Sequence, residues 1–222
     1  MREELDRHLV QLTGIVAGMG EQADGMLGRA LHAMAAEDRT ALQEVVADDA
    51  ALDRAYDQIQ HGVLAAVALH GPVGRDLRQL TGLLYVSLHA ERMADYAAGV
   101  ARTCLHAADD RPDPDLREQL VEMGELARGV GRQAVTAFTT ADAELALATG
   151  HLDDAVDRLN VGIFQRLVRL AADEEDRLAW ATRMIQLTRQ LERYADHAVD
   201  IADQALFVAT GRTRPRSNPP TQ

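Results

Sequence analysis

Apolar and polar positions recur with helical spacing along almost the whole chain. Apolar residues return every three or four positions, as they do on one face of an α-helix, and no segment shows the alternation of a half-buried strand. Breaks rich in glycine, proline or acidic residues separate the periodic segments and predict six helices. Five are expected at about residues 3–35, 40–69, 72–107, 114–139 and 142–171, and the sixth runs from the acidic break at 172–177 to about 209. Pro72 is expected at the start of the third helix.

The strongest break is the segment "ADDRPDPDLRE", which begins at Ala108. Its two prolines cannot continue a helix, and Asp113 followed by Pro114 is typical of an N-cap and a first helical residue. The break predicts a first three-helix bundle at residues 1–108 and a second at 109–210. The segment "GRTRPRSNPPTQ" at 211–222 is basic and rich in proline, and we expect it to be disordered.

The two halves of the chain resemble each other. The stretch "MGEQADGMLGRALHAMAAED" from Met19 aligns without gaps with "MGELARGVGRQAVTAFTTAD" from Met123. Later in each half, "ERMADY" from Glu91 corresponds to "ERYADH" from Glu192. The sequence therefore predicts an all-α protein of two tandem, pseudo-repeated three-helix bundles with up-down antiparallel packing.

Composition narrows the functional classes. The chain of 222 residues is 47% hydrophobic but only 4% aromatic, which suits closely packed helices, and its net charge is −12. This charge argues against nucleic-acid binding and opposes adsorption to anionic membranes. Cys104 is the only cysteine, so no intramolecular disulfide can form. No signal peptide and no apolar run of spanning length is found, and we expect a soluble cytoplasmic protein.

Pairs of carboxylates four residues apart are the main candidate chemistry. Glu91 continues the heptad column of Leu77 and Leu84, and Glu192 continues that of Leu178 and Ile185. Each bundle thus directs two acidic pairs towards its interior or its inner edge. The eight residues are Asp49, Asp53, Glu91, Asp95, Asp153, Asp157, Glu192 and Asp196.

Carboxylates that share a partly buried site need compensation, because burial and mutual repulsion both raise their pKa values. They can remain in a solvated groove, pair with arginines such as Arg92 and Arg193, or bind a cation. Oxygen ligands alone suit hard ions such as Mg²⁺, Ca²⁺, Mn²⁺ or Fe³⁺. His89 and His197 lie beside the acidic motifs and are either further ligands or surface residues.

Motifs of common enzymes are missing from the sequence. It contains no G-x-x-x-x-G-K-[ST] phosphate loop, no G-x-G-x-x-G and no G-x-S-x-G. No E-x-x-H pair marks a ferritin-like di-iron site. Cys104 lacks a surrounding motif and is interpreted as an inert buried thiol.

The tandem repeat, the acidic pairs, "P-x-x-x-D-L-R" at 72–78 and the "E-R-x-x-D" that closes each repeat resemble the PhoU family, over nearly the whole chain up to Ala209. The resemblance implies a cytoplasmic, all-helical homodimer without enzymatic activity. Such proteins are negative regulators of phosphate uptake and of the phosphate-starvation response, and link the ATPase subunit of a phosphate ABC transporter to a sensor histidine kinase.

The resemblance also implies that the eight carboxylates hold divalent or trivalent metal ions, with Fe, Mn, Mg, Zn or Ca as candidates. The chain departs from the family pattern four residues after the closing Asp, where an Asn is frequent and this chain has Gly99 and Asp200. The position directly after that Asp is Tyr96 in the first repeat and His197 in the second. The alternatives are a metal-dependent phosphohydrolase that uses the same carboxylates, or a plain helical scaffold.

Overall fold

The computed structural model describes residues 2–214, apart from the side chain of Asp49. These residues form seven α-helices and one short 3-10 turn, and no strand occurs among them. The all-α prediction is therefore confirmed. The helices are α1 (Arg2–Ala36), α2 (Arg39–Ala47), α3 (Asp49–His70), α4 (Arg75–His106), α5 (Pro114–Thr140), α6 (Ala143–Asp173) and α7 (Leu178–Thr210), with the 3-10 turn (Glu175–Arg177) directly before α7.

Four long helices form the centre of the molecule. Helix α1 packs against α4 and α5, and α7 packs against the same two helices. Helices α2 and α3 together cover α1 and α4, whereas α6 covers α5 and α7. Each half is thus a three-helix bundle, as predicted, and one continuous hydrophobic core contains buried residues of both halves. None of the helices in the described range has the length and apolar character needed to cross a bilayer.

Two local predictions differ from the structure. The second predicted helix is divided at Asp48, which keeps a near-helical backbone (φ −73°, ψ −16°) between α2 and α3 and pairs with Arg29. Pro72 does not begin a helix, because α4 starts three residues later at Arg75. The chain turns between Gly71 and Gly74, whose φ angles of 54° and 58° favour glycine, and the helix can begin only after the second of them.

The repeat extends to the turn that follows the first helix of each bundle. Glu37 and Ala141 occupy equivalent positions there, and both have left-handed backbones, with φ of 55° and 53°. Each is followed by an aspartate, Asp38 or Asp142, whose side chain accepts hydrogen bonds from two backbone N–H groups of the next helix. Such side-chain caps satisfy donors that a helix leaves free at its start.

Small residues set the distance between α1 and α5. A Cβ on Gly20 would lie 2.6 Å from a methyl group of Val135, and a Cβ on Gly124 would lie 2.5 Å from a methyl group of Leu31. Gly20 and Gly124 are equivalent in the two repeats, as are Leu31 and Val135. The two bundles therefore face each other through the same surface, related by an approximate two-fold axis.

The start of the predicted tail packs on the second bundle. Gly211 ends α7 in a left-handed conformation. Arg214 pairs with Asp203 at 2.7 Å and donates a hydrogen bond to the carbonyl oxygen of Ala146 at 3.0 Å. Residues 215–222, the remainder of that prediction, lie outside the described residues.

Candidate functional site

The four predicted acids of the second repeat come together where α6 packs against α7. Asp153 and Asp157 are one turn apart on α6, and Glu192 and Asp196 are one turn apart on α7. Burial raises the pKa of Asp153 to about 6, and the negative charges of Asp157, Asp196, Asp154 and Glu192 add to this increase. We call Asp153, Asp157, Glu192 and Asp196 the α6–α7 acidic cluster.

Compensation within the α6–α7 acidic cluster is incomplete. Burial raises the pKa of Asp196 and the charge of Glu192 raises it further, whereas Arg193 opposes the shift. The guanidinium of Arg193 is 3.5 Å from the Asp196 carboxylate and is largely exposed, so water screens the pair. At neutral pH the cluster concentrates negative charge on a half-buried surface, which a bound cation would neutralise.

The first repeat treats its acids differently. Glu91 and Asp95 are half-buried on α4, and Arg92 contacts both, at 3.4 Å from Glu91 and 2.9 Å from Asp95. Asp53 is exposed on α3, and the side chain of Asp49 is outside the described part. Arg92 thus contacts both acids of its helix, whereas the equivalent Arg193 lies 3.5 Å from Asp196, so the two repeats differ in how their acids are compensated.

A third group lies at the seam between α4 and α7. His89 Nδ1 is 2.9 Å from His197 Nδ1 and 3.5 Å from Asp200 Oδ2, and His197 Nδ1 is 3.8 Å from the same oxygen. Burial lowers the pKa values of both histidines, and Asp200 opposes this. We call these three residues the seam cluster.

Sequence reasoning missed the seam cluster because it considered the two histidines separately. They are 108 residues apart and are not equivalent in the repeat, since His89 corresponds to Gln190 and His197 corresponds to Tyr96. The available signal was local: His197 and Asp200 are three residues apart and so share one face of α7. Only the packing of α4 on α7 brings His89 to them.

Cys104 is a buried free thiol on α4. Burial raises its pKa to about 12, so that the nucleophilic thiolate is scarce at neutral pH. This agrees with the interpretation of Cys104 as an inert core residue.

Comparison with known sequences gives a consistent family match. The sequence model of the PhoU domain matches the chain twice, at residues 16–104 and 120–205. The chain is 30% identical over 203 residues to the phosphate-specific transport system accessory protein PhoU homolog of Caulobacter vibrioides, covering 91% of this chain and 88% of that protein. It is 26% identical over 211 residues to the homolog of the same name from Streptococcus pneumoniae, covering 95% and 97%.

Solved structures agree on the fold. The crystal structure of the phosphate transport system regulatory protein PhoU from Streptococcus pneumoniae superposes with a TM-score of 0.88 at 24% identity, covering 95% of this chain and 99% of that one. The crystal structure of PhoU from Pseudomonas aeruginosa superposes with a TM-score of 0.78 at 24% identity, covering 95% and 97%. At this identity the likeness shows that the helical architecture is shared.

Proposed function

The chain belongs to the PhoU family, and on this premise we propose that it is a non-enzymatic negative regulator of phosphate uptake and of the phosphate-starvation response. The observation that carries the proposal is the family match over both repeats together with relatives that are named accessory proteins of the phosphate-specific transport system. Coverage of about nine-tenths of each chain means that the relatives share the whole two-bundle architecture.

The proposed partners are the ATPase subunit of a phosphate ABC transporter and a sensor histidine kinase, with the regulator acting as a cytoplasmic homodimer. An adaptor of this kind needs binding surfaces rather than a catalytic centre. A phosphoester panel with Mn²⁺, Mg²⁺ and Fe separates this proposal from a metal-dependent phosphohydrolase. Turnover that survives purification and is lost on Glu192→Gln would overturn the non-enzymatic assignment.

The α6–α7 acidic cluster fits a hard cation. Four carboxylates from two helices supply oxygen ligands only, and Asp153 and Asp196 both have raised pKa values that a nearby positive charge would lower. Asp153, Asp157, Glu192 and Asp196 would hold the ion, for which Fe, Mn, Mg or Ca suits the donor set better than Zn. Bound there, it would neutralise the cluster and fasten α6 to α7. Glu91 and Asp95, contacted by Arg92, would bind more weakly.

Deletion of the gene tests the regulatory role. In phosphate-rich medium a transcriptional reporter of the starvation response should become active in the deletion strain, and the wild-type gene should silence it again. Complementation with a gene carrying Asp153→Asn, Asp157→Asn, Glu192→Gln and Asp196→Asn tests whether the cluster is needed for this silencing. The comparison variant carries Asp53→Asn, Glu91→Gln and Asp95→Asn in the first repeat and should impair silencing less, because Arg92 already contacts Glu91 and Asp95.

A reporter that stays silent in the deletion strain would refute the proposed regulation. Partner identity is measured separately, by pull-down of the tagged regulator from cells grown in rich phosphate. Recovery of neither the transporter ATPase nor a histidine kinase would remove the proposed partners.

A further inference from the structure

We propose that His89, His197 and Asp200 form a binding site for a divalent transition-metal ion, with Zn²⁺ as the best-matched probe. The bound ion would join α4 of the first repeat to α7 of the second. The site is separate from the α6–α7 acidic cluster, because it lies on the central α4–α7 seam and uses nitrogen as well as oxygen donors. The inference does not depend on the proposed regulatory function.

Hydrogen bonding accounts for only one of the three contacts in the seam cluster. The 2.9 Å contact between the two Nδ1 atoms can be one N–H···N bond, with one imidazole donating and the other accepting. The distances of 3.5 Å and 3.8 Å to Asp200 Oδ2 exceed the normal hydrogen-bond range. His89 Nδ1, His197 Nδ1 and Asp200 Oδ2 therefore lie close together. A shared proton can link the two nitrogen atoms, but it leaves the oxygen without a hydrogen bond to either of them.

The spacing suits a metal ion. In a tetrahedral site with metal–nitrogen distances of about 2.0–2.1 Å, the ligand atoms lie about 3.3 Å from one another. The three observed separations of 2.9 Å, 3.5 Å and 3.8 Å lie on both sides of this value. Side-chain shifts of a few tenths of an ångström would give all three atoms a common centre.

The donor set selects the class of ion. Two imidazole nitrogens and one carboxylate oxygen are borderline ligands that favour Zn²⁺ and its transition-metal neighbours over Mg²⁺ or Ca²⁺. Asp200 is 54% exposed, so the site opens to solvent on its side. Water can therefore take the fourth position, as in other sites with three protein ligands.

The ring of His197 is positioned before any ion binds. The ring of Tyr96 stacks on that of His197, with centroids 5.5 Å apart and an angle of 23° between the planes. His197 and Asp200 project from neighbouring turns of one helix. Ligands fixed on rigid helices lose little conformational freedom on binding, which favours affinity.

Two arginines lie near the seam cluster, and each is also close to a carboxylate. Arg92 and Arg193 are close enough to lower the pKa of His197, but Arg92 pairs with Asp95 at 2.9 Å and Arg193 lies 3.5 Å from Asp196. The carboxylate of Asp200 adds one negative charge at the site itself. The local charge therefore permits a divalent ion.

The approximate two-fold axis provides an internal comparison. At the equivalent point on the other side of the seam the counterparts of His89, His197 and Asp200 are Gln190, Tyr96 and Gly99. These three residues line one pocket, and a Cβ on Gly99 would lie 3.0 Å from the side-chain nitrogen of Gln190. These three residues offer no imidazole or carboxylate, and among the described residues the three-ligand group found at the seam is that of His89, His197 and Asp200.

Zn²⁺ titration of the metal-free full-length protein tests the site. The background protein carries Asp157→Asn and Glu192→Gln, which weaken the α6–α7 acidic cluster as a competing site. Against this background, His89→Gln or His197→Gln should reduce Zn²⁺ affinity by about 100-fold or more, because each removes one of three protein ligands and loss of an outer-shell partner alone typically costs about 10–100-fold. Asp200→Asn should also reduce it, and since Asp200 is exposed this variant is expected to fold normally.

His70→Gln is the matched control. His70 and His8 form a second histidine pair, with a nitrogen–nitrogen distance of 3.2 Å, but no carboxylate completes a three-ligand group with them among the described residues. Zn²⁺ affinity that falls with the three seam substitutions and is unchanged by His70→Gln supports the proposal. If the background protein does not bind Zn²⁺, or if the seam variants bind it as tightly as the background does, the proposal is wrong.

A second probe reports the ligands directly. Co²⁺ in a four-coordinate site with imidazole ligands gives visible absorption bands far stronger than those of aqueous Co²⁺. These bands should appear in the background protein and disappear on Asp200→Asn or His197→Gln. Bands that persist in both variants would place the ion elsewhere and overturn the assignment.

Discussion

At Asp153 the behaviour of a single carboxylate depends on neighbours that carry the same charge. Burial and four surrounding acids raise its pKa to about 6. A carboxyl whose pKa is higher in the folded state than in the unfolded state binds protons preferentially when folded. Its ionised form therefore costs stability above about pH 6, and this cost disappears as the pH falls to about 4, the ordinary pKa of the group.

Asp153→Asn should consequently stabilise the protein when metal ions have been removed with a chelator. The urea midpoint should rise near neutral pH, and the difference from wild type should vanish below about pH 4, where both states of the wild type are protonated. The control is Asp53→Asn, an exposed acid of the corresponding helix in the first repeat, which should change the midpoint little at any pH.

A cation held by the cluster would lower the pKa of Asp153, so saturating Mn²⁺ should remove the advantage of the variant. Equal midpoints in chelator near neutral pH would contradict the described environment of Asp153.

At the residue scale, the acidic pairs could be singled out from the sequence because their spacing occurs in both repeats. The spacing of Glu192 and Asp196, found again at Glu91 and Asp95, identified both pairs without any knowledge of packing. It could not distinguish an arginine-paired site from a charged one, because Arg92 and Arg193 occupy equivalent positions and only the packed structure shows how each meets the carboxylates beside it. His89 was recognised as a possible ligand, but its contact with His197 and Asp200 depends on the packing of α4 on α7 and could not be read from the sequence.

At the scale of elements, the turn between α5 and α6 carries a backbone cost. Ala141 has a φ of 53°, a left-handed conformation in which its Cβ is crowded and which glycine adopts freely. Asp142 then caps α6, with bonds to the N–H groups of Glu144 and Leu145. The start of α6 is thus fixed by the cap Asp142, although Ala141 before it has a backbone conformation that glycine would adopt at lower cost.

Ala141→Gly should therefore stabilise the protein, by about 0.5–1 kcal/mol, since relief of the left-handed strain exceeds the extra entropy of glycine in the unfolded chain. The measurement is the free energy of unfolding in urea. Ala65→Gly is the matched control, an exposed position inside α3, where the same substitution should destabilise by up to about 1 kcal/mol. Changes of the same sign in both variants would contradict the assigned backbone conformation.

Helix bounds were predictable where the sequence provides a cap or a proline. Asp113 with Pro114, and Asp142, mark the starts of α5 and α6 as expected. The division at Asp48 was not predictable, because the periodicity continues through a residue whose backbone remains near-helical. Pro72 was misplaced because a proline fits both a helix start and a turn, and the choice depended on the conformation of Gly74.

At the scale of the whole molecule, two repeats in sequence form one packed body. The core is continuous across both bundles, and α1 approaches α5 through Gly20 and Gly124. Trp180, the only tryptophan, belongs to the second repeat, yet it lines a cavity of about 220 Å³ together with Met34 and Leu42 of the first. The boundary at residue 108 is therefore expected to separate repeats that do not unfold independently.

Gly20→Ala tests this coupling, because it perturbs the first repeat while Trp180 reports from the second. The new Cβ would meet the stiff side chain of Val135 at 2.6 Å. Overpacking of this kind typically costs about 1–3 kcal/mol, and the better helix propensity of alanine returns up to about 1 kcal/mol, so a net loss of roughly 1 kcal/mol is expected. Far-ultraviolet circular dichroism and Trp180 fluorescence should show one coincident urea transition, shifted equally by the substitution.

Gly18→Ala, on the same helix with nothing within 4 Å of the new Cβ, should shift both signals the other way. Two separate transitions, or a fluorescence transition that Gly20→Ala leaves in place, would mean that the bundles unfold independently despite their common core.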